Sequence, residues 1–161
     1  MDNNILACEH GIQQLKELSE SSYKVDLNQG MDARLVDESI ADIIARMKWI
    51  KYIRFSCDSD LQIKAIENVV NLLRERNVSP TRISVYILVT KDLSKIDYRV
   101  QELCKLRVSI YAQAERNLGI EPPSKEQKEF CNRYVYGRCY KKETWLEYCQ
   151  RNKLTNWKVH L

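Results

Sequence analysis

The residues best equipped for chemistry lie in one short run, Asn28-Gln29-Gly30-Met31-Asp32-Ala33-Arg34-Leu35. It combines two side-chain amides, a glycine, a carboxylate and a guanidinium. Amides read polar ligands as donors and acceptors, and a guanidinium holds a carboxylate or phosphate through paired hydrogen bonds. Asp32 and Arg34 have a second use, pairing with each other and capping the helix that follows. Further along, Cys57-Asp58-Ser59, Val89-Thr90 and Gln113-Ala114 each end an apolar stretch on a polar residue. Six cysteines, at 8, 57, 104, 131, 139 and 149, could bind metal, but none lies in a C-x-x-C relation and His10 and His160 stand at opposite ends. The spacing matches no zinc motif. Cys8, Cys57 and Cys104 sit among apolar residues and read as buried thiols. Cys131, Cys139 and Cys149 leave a metal or disulfide set open in principle, although cytosolic thiols ordinarily stay reduced.

The elements that must position these residues follow from periodicity. Four segments alternate apolar and polar residues, as half-buried strands do. They are 23–28, 51–58, 83–90 and 108–114. The first puts Asp26 and Asn28 opposite Val25 and Leu27. The second puts Tyr52, Arg54, Ser56 and Asp58 opposite Ile53, Phe55 and Cys57. In the third, Ser84, Tyr86 and Thr90 oppose Ile83, Val85, Ile87 and Val89. In the fourth, Ser109, Tyr111 and Gln113 oppose Val108, Ile110 and Ala112. Asp26, Arg54, Tyr86 and Tyr111 are therefore expected on one face.

Helical patterns separate the strands. Ile12, Leu15 and Leu18 mark a helix over 9–21. Asp37 reads as the N-cap of a helix carrying Ile40, Ile43 and Ile44, and Ile63, Ile66, Val69, Val70 and Leu73 stripe the next. Others are expected over 96–106, 125–134 and 142–151. Alternating strands and helices predict a parallel α/β array in chain order, helices on the apolar side. A closed barrel fills its interior with branched apolar residues, whereas this interior carries Arg, Asp, Tyr, Ser and Gln, as a polar-ligand cavity would. The expected fold is α/β, an incomplete parallel (β/α) barrel with C-terminal helices. A full eightfold barrel needs about 250 residues.

The chain of 161 residues reads as one domain, with 121–161 a helical segment packed on the rest. The net charge of +4 arises entirely in that segment, which holds 9 Lys and Arg against 5 Asp and Glu. Tyr134, Tyr136, Tyr140, Trp145, Tyr148 and Trp157 interleave with those cations. Such a pattern can bind nucleic acid. The simpler expectation is that the aromatics pack and the charges are solvated, with no nucleic-acid partner. No apolar run approaches the roughly 20 residues of a membrane span, so no membrane partner is expected. Residues 1–4 lack the basic and apolar regions of a signal peptide, and a cytoplasmic location is the default.

The ordered set 25–35, Ile53-Arg54-Phe55-Ser56-Cys57-Asp58, Val85–Val89 and Tyr111-Ala112-Gln113-Ala114-Glu115-Arg116 resembles the later part of a radical S-adenosylmethionine (SAM) enzyme barrel. Phe130–Val135 and Thr144–Tyr148 resemble the tail of one subgroup. The resemblance implies a parent enzyme that binds a 4Fe–4S cluster and SAM and abstracts hydrogen from a substrate with a 5′-deoxyadenosyl radical. It implies that Asp2, Asn3 and Asn4 lie near the methionine amino group, Asn28 and Gln29 near the methionine or ribose, and Asp58 near the ribose hydroxyls. Gln113 and Arg116 would lie near the adenine rim or substrate, with Asp32, Arg34, Arg54 and Tyr86 lining the pocket. The family's C-x-x-x-C-x-x-C loop is absent from the 161 residues. The chain is therefore expected to be a piece of a longer protein or the product of a shortened reading frame. Alone it is expected to hold neither cofactor, and to be inactive. Its expected partners are the front half of the barrel, which would carry the cluster cysteines, or a second copy paired through the exposed first strand. The alternatives are a non-catalytic half-barrel that recruits a protein, and a nucleic-acid module using the basic aromatic tail.

Overall fold

The computed structural model describes residues 4–116 and 121–154. Parallel strands alternate with helices in an α/β arrangement. The strands are β1 (Lys24–Val25), β2 (Met31–Asp32), β3 (Lys48–Trp49), β4 (Ile53–Ser56), β5 (Ile83–Val89) and β6 (Ser109–Ala114). The helices are α1 (Glu9–Glu20), α2 (Glu38–Arg46), α3 (Ile63–Glu75), α4 (Leu93–Lys105), α5 (Lys125–Glu129) and α6 (Trp145–Arg151). The main sheet runs β2-β4-β5-β6, all parallel, so spatial order follows chain order.

The first predicted strand needs correction. Only Lys24 and Val25 of 23–28 are paired, with Lys48 and Trp49, and the ladder resumes at Met31–Asp32 against Phe55 and Ser56. Both ladders have the same offset of 24 residues, so they are one strand pair interrupted over 26–30. The interruption coincides with Asp26, Asn28 and Gly30, residues depleted in strands. A Cβ on Gly30 would lie 2.9 Å from Ser56 N and 3.0 Å from Phe55 C. The glycine therefore lets this edge close against β4.

The strand phase is as the alternation predicts. Ile53, Phe55, Ile83, Val85, Ile87 and Val89 are at most 1 % exposed, facing the helices. Burying each such side chain contributes about 1.5–3 kcal/mol. Asp37 caps α2, its carboxylate accepting from Ile40 N at 2.8 Å. Ser59 and Gln62 form a capping box before α3. The helical stripes Ile40, Ile43, Ile44 and Ile66, Val69, Val70, Leu73 are buried as expected. Arg76, at the end of α3, donates to Asp42 at 2.5 Å and Glu38 at 2.6 Å and so ties α3 to α2.

The C-terminal segment packs its aromatics and solvates its charges. α5 continues into a π-helical stretch, Phe130–Val135. Phe130, Tyr134, Trp145 and Tyr148 are buried with ring centroids 5.0–5.5 Å apart. Trp157 lies outside the described residues. The cluster is fastened to α4 by Asp97. Its carboxylate accepts from the Tyr134 hydroxyl at 2.5 Å and from Trp145 N at 2.9 Å. Gln101 Nε2 donates to the Tyr134 oxygen at 2.8 Å and to Tyr140 O at 3.2 Å. Burial raises the Asp97 pKa, although these hydrogen bonds oppose the shift. Among the described residues, no helix is long and apolar enough to cross a membrane.

Candidate functional site

The sheet face opposite the helices is polar and partly open. Strand register sorts it into rows. Arg54, Ser84 and Ser109 are level with one another. Asp32, Ser56, Tyr86 and Tyr111 form the next row, and Leu88 with Gln113 the row nearest the C-terminal strand ends. Arg54, Ser56 and Tyr86 are half-buried, whereas Leu88, Tyr111 and Gln113 are exposed. The Tyr86 and Tyr111 rings lie 4.9 Å apart, and Tyr136 meets Tyr111 edge-on at 5.5 Å.

Arg54 organises the lower part of this face. Its Nη1 is ion-paired with Asp26 and donates to Leu27 O at 3.0 Å. The guanidinium therefore holds the unpaired stretch of the edge strand by its main chain and by its carboxylate. The hydrogen bond to Asp26 holds the Arg54 pKa above its usual value despite burial. Asp26 and Arg54 share a face, as the alternation required.

Asp32 and Arg34 take the pairing alternative. Arg34 Nη2 lies 2.5 Å from Asp32 Oδ2 and Arg34 Nε 2.9 Å from Oδ1, while the Arg34 main-chain N–H also donates to Oδ1 at 2.9 Å. These bonds hold the Asp32 carboxyl below its usual range and close the short turn Ala33–Leu35. Neither group is left unpaired to grip a ligand.

Asp58 stands just beyond β4, where Oδ1 accepts from Leu88 N at 3.2 Å and extends the β4–β5 ladder. Gln62 Oε1 accepts from Asp58 N at 2.7 Å and Ser59 N at 3.0 Å, so the strand end is clamped from behind. Gln113 and Arg116 are exposed at and after the end of β6. Asn28 and Gln29 are also exposed, but in the interrupted stretch of the edge strand. The sequence reading placed them at a strand's C-terminal end; that end is instead Asp32. The structure thus brings Asp32, Ser56 and Tyr86 into one row, with Asp58 and Gln113 above them, and leaves Asn28 and Gln29 lower on the edge. Asn4 Oδ1 accepts from Leu6 N at 3.3 Å and Asp32 N at 3.4 Å. Asp2 and Asn3 lie outside the described residues.

Two residues near this site were not singled out from sequence. Arg99, 6 % exposed on α4, donates to Cys57 O at 3.3 Å and Asp60 Oδ1 at 3.1 Å, bracing the β4 end. Tyr136 was read only as part of an aromatic tail. A helix-stripe pattern could have hinted at Arg99, which lies three residues after Ile96, whereas nothing local tells that Tyr136 reaches Tyr111.

Among the described residues, no three His, Cys, Asp or Glu side chains are grouped to hold a metal ion. All six cysteines are unpaired thiols; of the three read as buried, Cys57 is buried, whereas Cys104 is half-buried and Cys8 is exposed, its thiol capping α1 by accepting from Gly11 N. Burial pushes Cys57 up to about 12 and Cys131 and Cys149 up to about 11, which keeps all three protonated. No protein-family model, curated protein or solved structure matches this chain.

Proposed function

We propose that this chain is the later part of a radical SAM barrel, an incomplete (β/α) barrel whose polar sheet face is lumen wall in the intact enzyme. The observation that carries the reading is the row structure of that face. Arg54, Ser56, Ser84, Tyr86, Ser109, Tyr111 and Gln113 share one side of parallel strands set in chain order, while their apolar neighbours are buried on the other. Ligands of parallel α/β folds bind beyond the C-terminal strand ends.

The two cofactors fare differently. A 4Fe–4S cluster is held by cysteine thiolates, and the described residues offer no grouped donor set. They do not fit a cluster, and no step of the chemistry is assigned to one on this chain. Its ligands would come from another segment or chain, the front half of the barrel. The SAM side fits better. Asp58 uses one carboxylate oxygen on Leu88 N, which leaves the other for a ribose hydroxyl. The exposed Gln113 amide can donate and accept at a heterocycle edge. The Asp32–Arg34 pair would shape the rim. These residues would bind and orient; hydrogen abstraction would belong to the assembled enzyme.

A second reading, a half-barrel that recruits a protein strand, is favoured by a largely apolar hollow of about 260 Å³ on the edge strand, lined by Ile5, Leu27 and Met31 among others. The same edge would accept the front half of the barrel, so this reading and the first share a surface.

Equilibrium dialysis with S-adenosylhomocysteine tests the proposal without a cluster. The lone chain lacks the cluster that would anchor SAM itself, but weak saturable binding of the nucleoside part is expected, reduced about tenfold (~1.4 kcal/mol) in Gln113→Ala and Asp58→Asn. A folded chain with no saturable binding would remove the reading. So would a reconstituted cluster of about four irons per chain that is lost on replacing Cys131, Cys139 and Cys149.

A further inference from the structure

A second hollow opens on the polar face at the other end of the strands. It has a volume of about 460 Å³, within the range of small-molecule sites. Residues just before β4, β5 and β6 line it, namely Tyr52, Thr81 and Arg107. It is thus separated along the sheet from Asp58 and Gln113.

Its chemistry is one-sided. The described lining carries three cations, Arg107, Arg138 and Lys141, and no carboxylate. None of the three is ion-paired with a described residue. Three unneutralised cations around one hollow repel one another unless an anion enters. The floor is formed by Ser84 and Ser109, two small hydroxyl side chains adjacent in register. Their hydroxyls can donate to the same anion. One wall is aromatic: Tyr111 and Tyr136 meet edge-on and are 39 % and 47 % exposed.

The backbone is bent to deliver these groups. Arg107 follows α4 at φ 60°, and Arg138 has φ 58°, a left-handed conformation that glycine or asparagine ordinarily takes. Gly137 makes the second bend possible, since a Cβ there would lie 2.1 Å from Arg133 O. The π-helical stretch Phe130–Val135 ends immediately before Tyr136. Single π turns are frequent at functional sites.

We propose that this hollow binds a phosphate-bearing ligand of mononucleotide size, with the phosphate on Arg107, Arg138 and Lys141 and the base against Tyr111 and Tyr136. Guanidinium forks suit phosphate oxygens, and exposed tyrosine rings offer a face for a base to stack on. A longer polyanion is less well served. The neighbouring hollow, which shares Thr81 and Arg107, adds Arg74 but also holds Glu67, which is paired with Lys64 at 2.8 Å, and its Lys105 is already paired with Glu102 at 2.5 Å.

Calorimetric titration of the full chain tests this with three probes: uridine 5′-monophosphate, uridine and inorganic phosphate. The pyrimidine avoids an adenine site elsewhere. The monophosphate is expected to bind at least about tenfold more tightly than either part alone, and to weaken as salt rises. Arg138→Glu and Lys141→Glu should each weaken it by about tenfold or more, while Lys16→Glu on α1 changes nothing. Thermal melts establish that each variant is folded; Lys141 is exposed, so its variant remains informative if Arg138→Glu is unstable. Equal binding of uridine and its monophosphate would overturn the proposal. Unchanged affinity in both charge reversals would do so too, as would binding confined to long single-stranded oligonucleotides.

Discussion

Asp97 offers the sharpest test of how the C-terminal segment is held. Replacing it by alanine removes the acceptor of the Tyr134 hydroxyl and of Trp145 N. Hydrogen bonds to charged groups contribute about 1.5–3 kcal/mol each, so two direct bonds amount to about 3–6 kcal/mol. The buried carboxylate carries a desolvation cost that its loss returns, and the Tyr134 hydroxyl can turn to Glu143 O, 3.0 Å away. The expected net loss for Asp97→Ala is about 3 kcal/mol, a fall in melting temperature of about 6–12 °C for a chain of this size. Asp97→Asn keeps one acceptor for Trp145 N and gains a donor toward the Tyr134 oxygen, so it should cost about 1 kcal/mol or less. The pH dependence separates the two effects. Burial raises the native Asp97 pKa above its ordinary 3.8, so the folded state binds this proton more tightly than the unfolded chain. Its stabilising contribution is complete below pH 3.8 and is lost as pH rises through the native value. In Asp97→Asn that component should vanish. Urea titrations of the three proteins across acid and neutral pH supply the measurements. If Asp97→Ala unfolds at the parent's midpoint, or Asp97→Asn falls as far as alanine, the network does not hold the segment.

Other expectations concern separate parts of the molecule. Gly30→Ala should lower stability by about 1–3 kcal/mol, because the added Cβ meets main-chain atoms of β4 at 2.9–3.0 Å; an unchanged denaturation midpoint would show that the edge gives way at no cost. Asp32 is held below its usual pKa by Arg34, so its contribution is present above pH 3.8 and lost as pH falls through the depressed value. Arg34→Ala should therefore flatten the acid limb of the stability profile, and a parallel limb would refute the pairing. In native protein at pH 8, a thiol reagent should label exposed Cys8 quickly and Cys57, Cys131 and Cys149 only on unfolding; rapid native labelling of Cys57, read by peptide mass mapping, would contradict its burial. The edge of β1 and β2 is a template for another strand, so the isolated chain should self-associate in sedimentation experiments, whereas a monomer across the whole concentration range would mean that its own residues cover the edge.

What the sequence disclosed depended on how local the cause was. Arg54, Tyr86 and Tyr111 could be put on one face because alternation needs only the strand itself. The caps at Asp37 and the buried stripes of α2 and α3 were legible for the same reason. The interrupted edge was not. Val25 and Leu27 alternate with Asp26 and Asn28 as a strand should, yet Asn28 and Gln29 do not pair and the ladder resumes only after Gly30. The close approach of Gly30 to Phe55 and Ser56, where the ladder resumes, is one that the segment cannot reveal alone. Asp97 is not legible from its own helix, because its partners are 37 and 48 residues away. The candidate sites divide likewise. Asp58 and Gln113 were found at strand ends, whereas the convergence of Arg107 and Arg138 depends on two left-handed turns and a helix that crosses to Tyr111.

The match between sheet order and chain order also bears on how the molecule is made. Within the main sheet, β4, β5 and β6 each pair with the main-sheet strand synthesised before them, at separations of only 24 to 30 residues. Short loops close at modest entropic cost, so the array can grow in step with a ribosome, each new unit settling on a finished neighbour. The exception is the return of Tyr134 and Trp145 to Asp97 on α4. Until those residues emerge, the flank of α4 stays bare and a buried carboxylate lacks its partners. The last stretch of chain therefore acts as a latch on a nearly finished molecule, and nascent chains stopped before residue 134 should be the ones that chaperones retain.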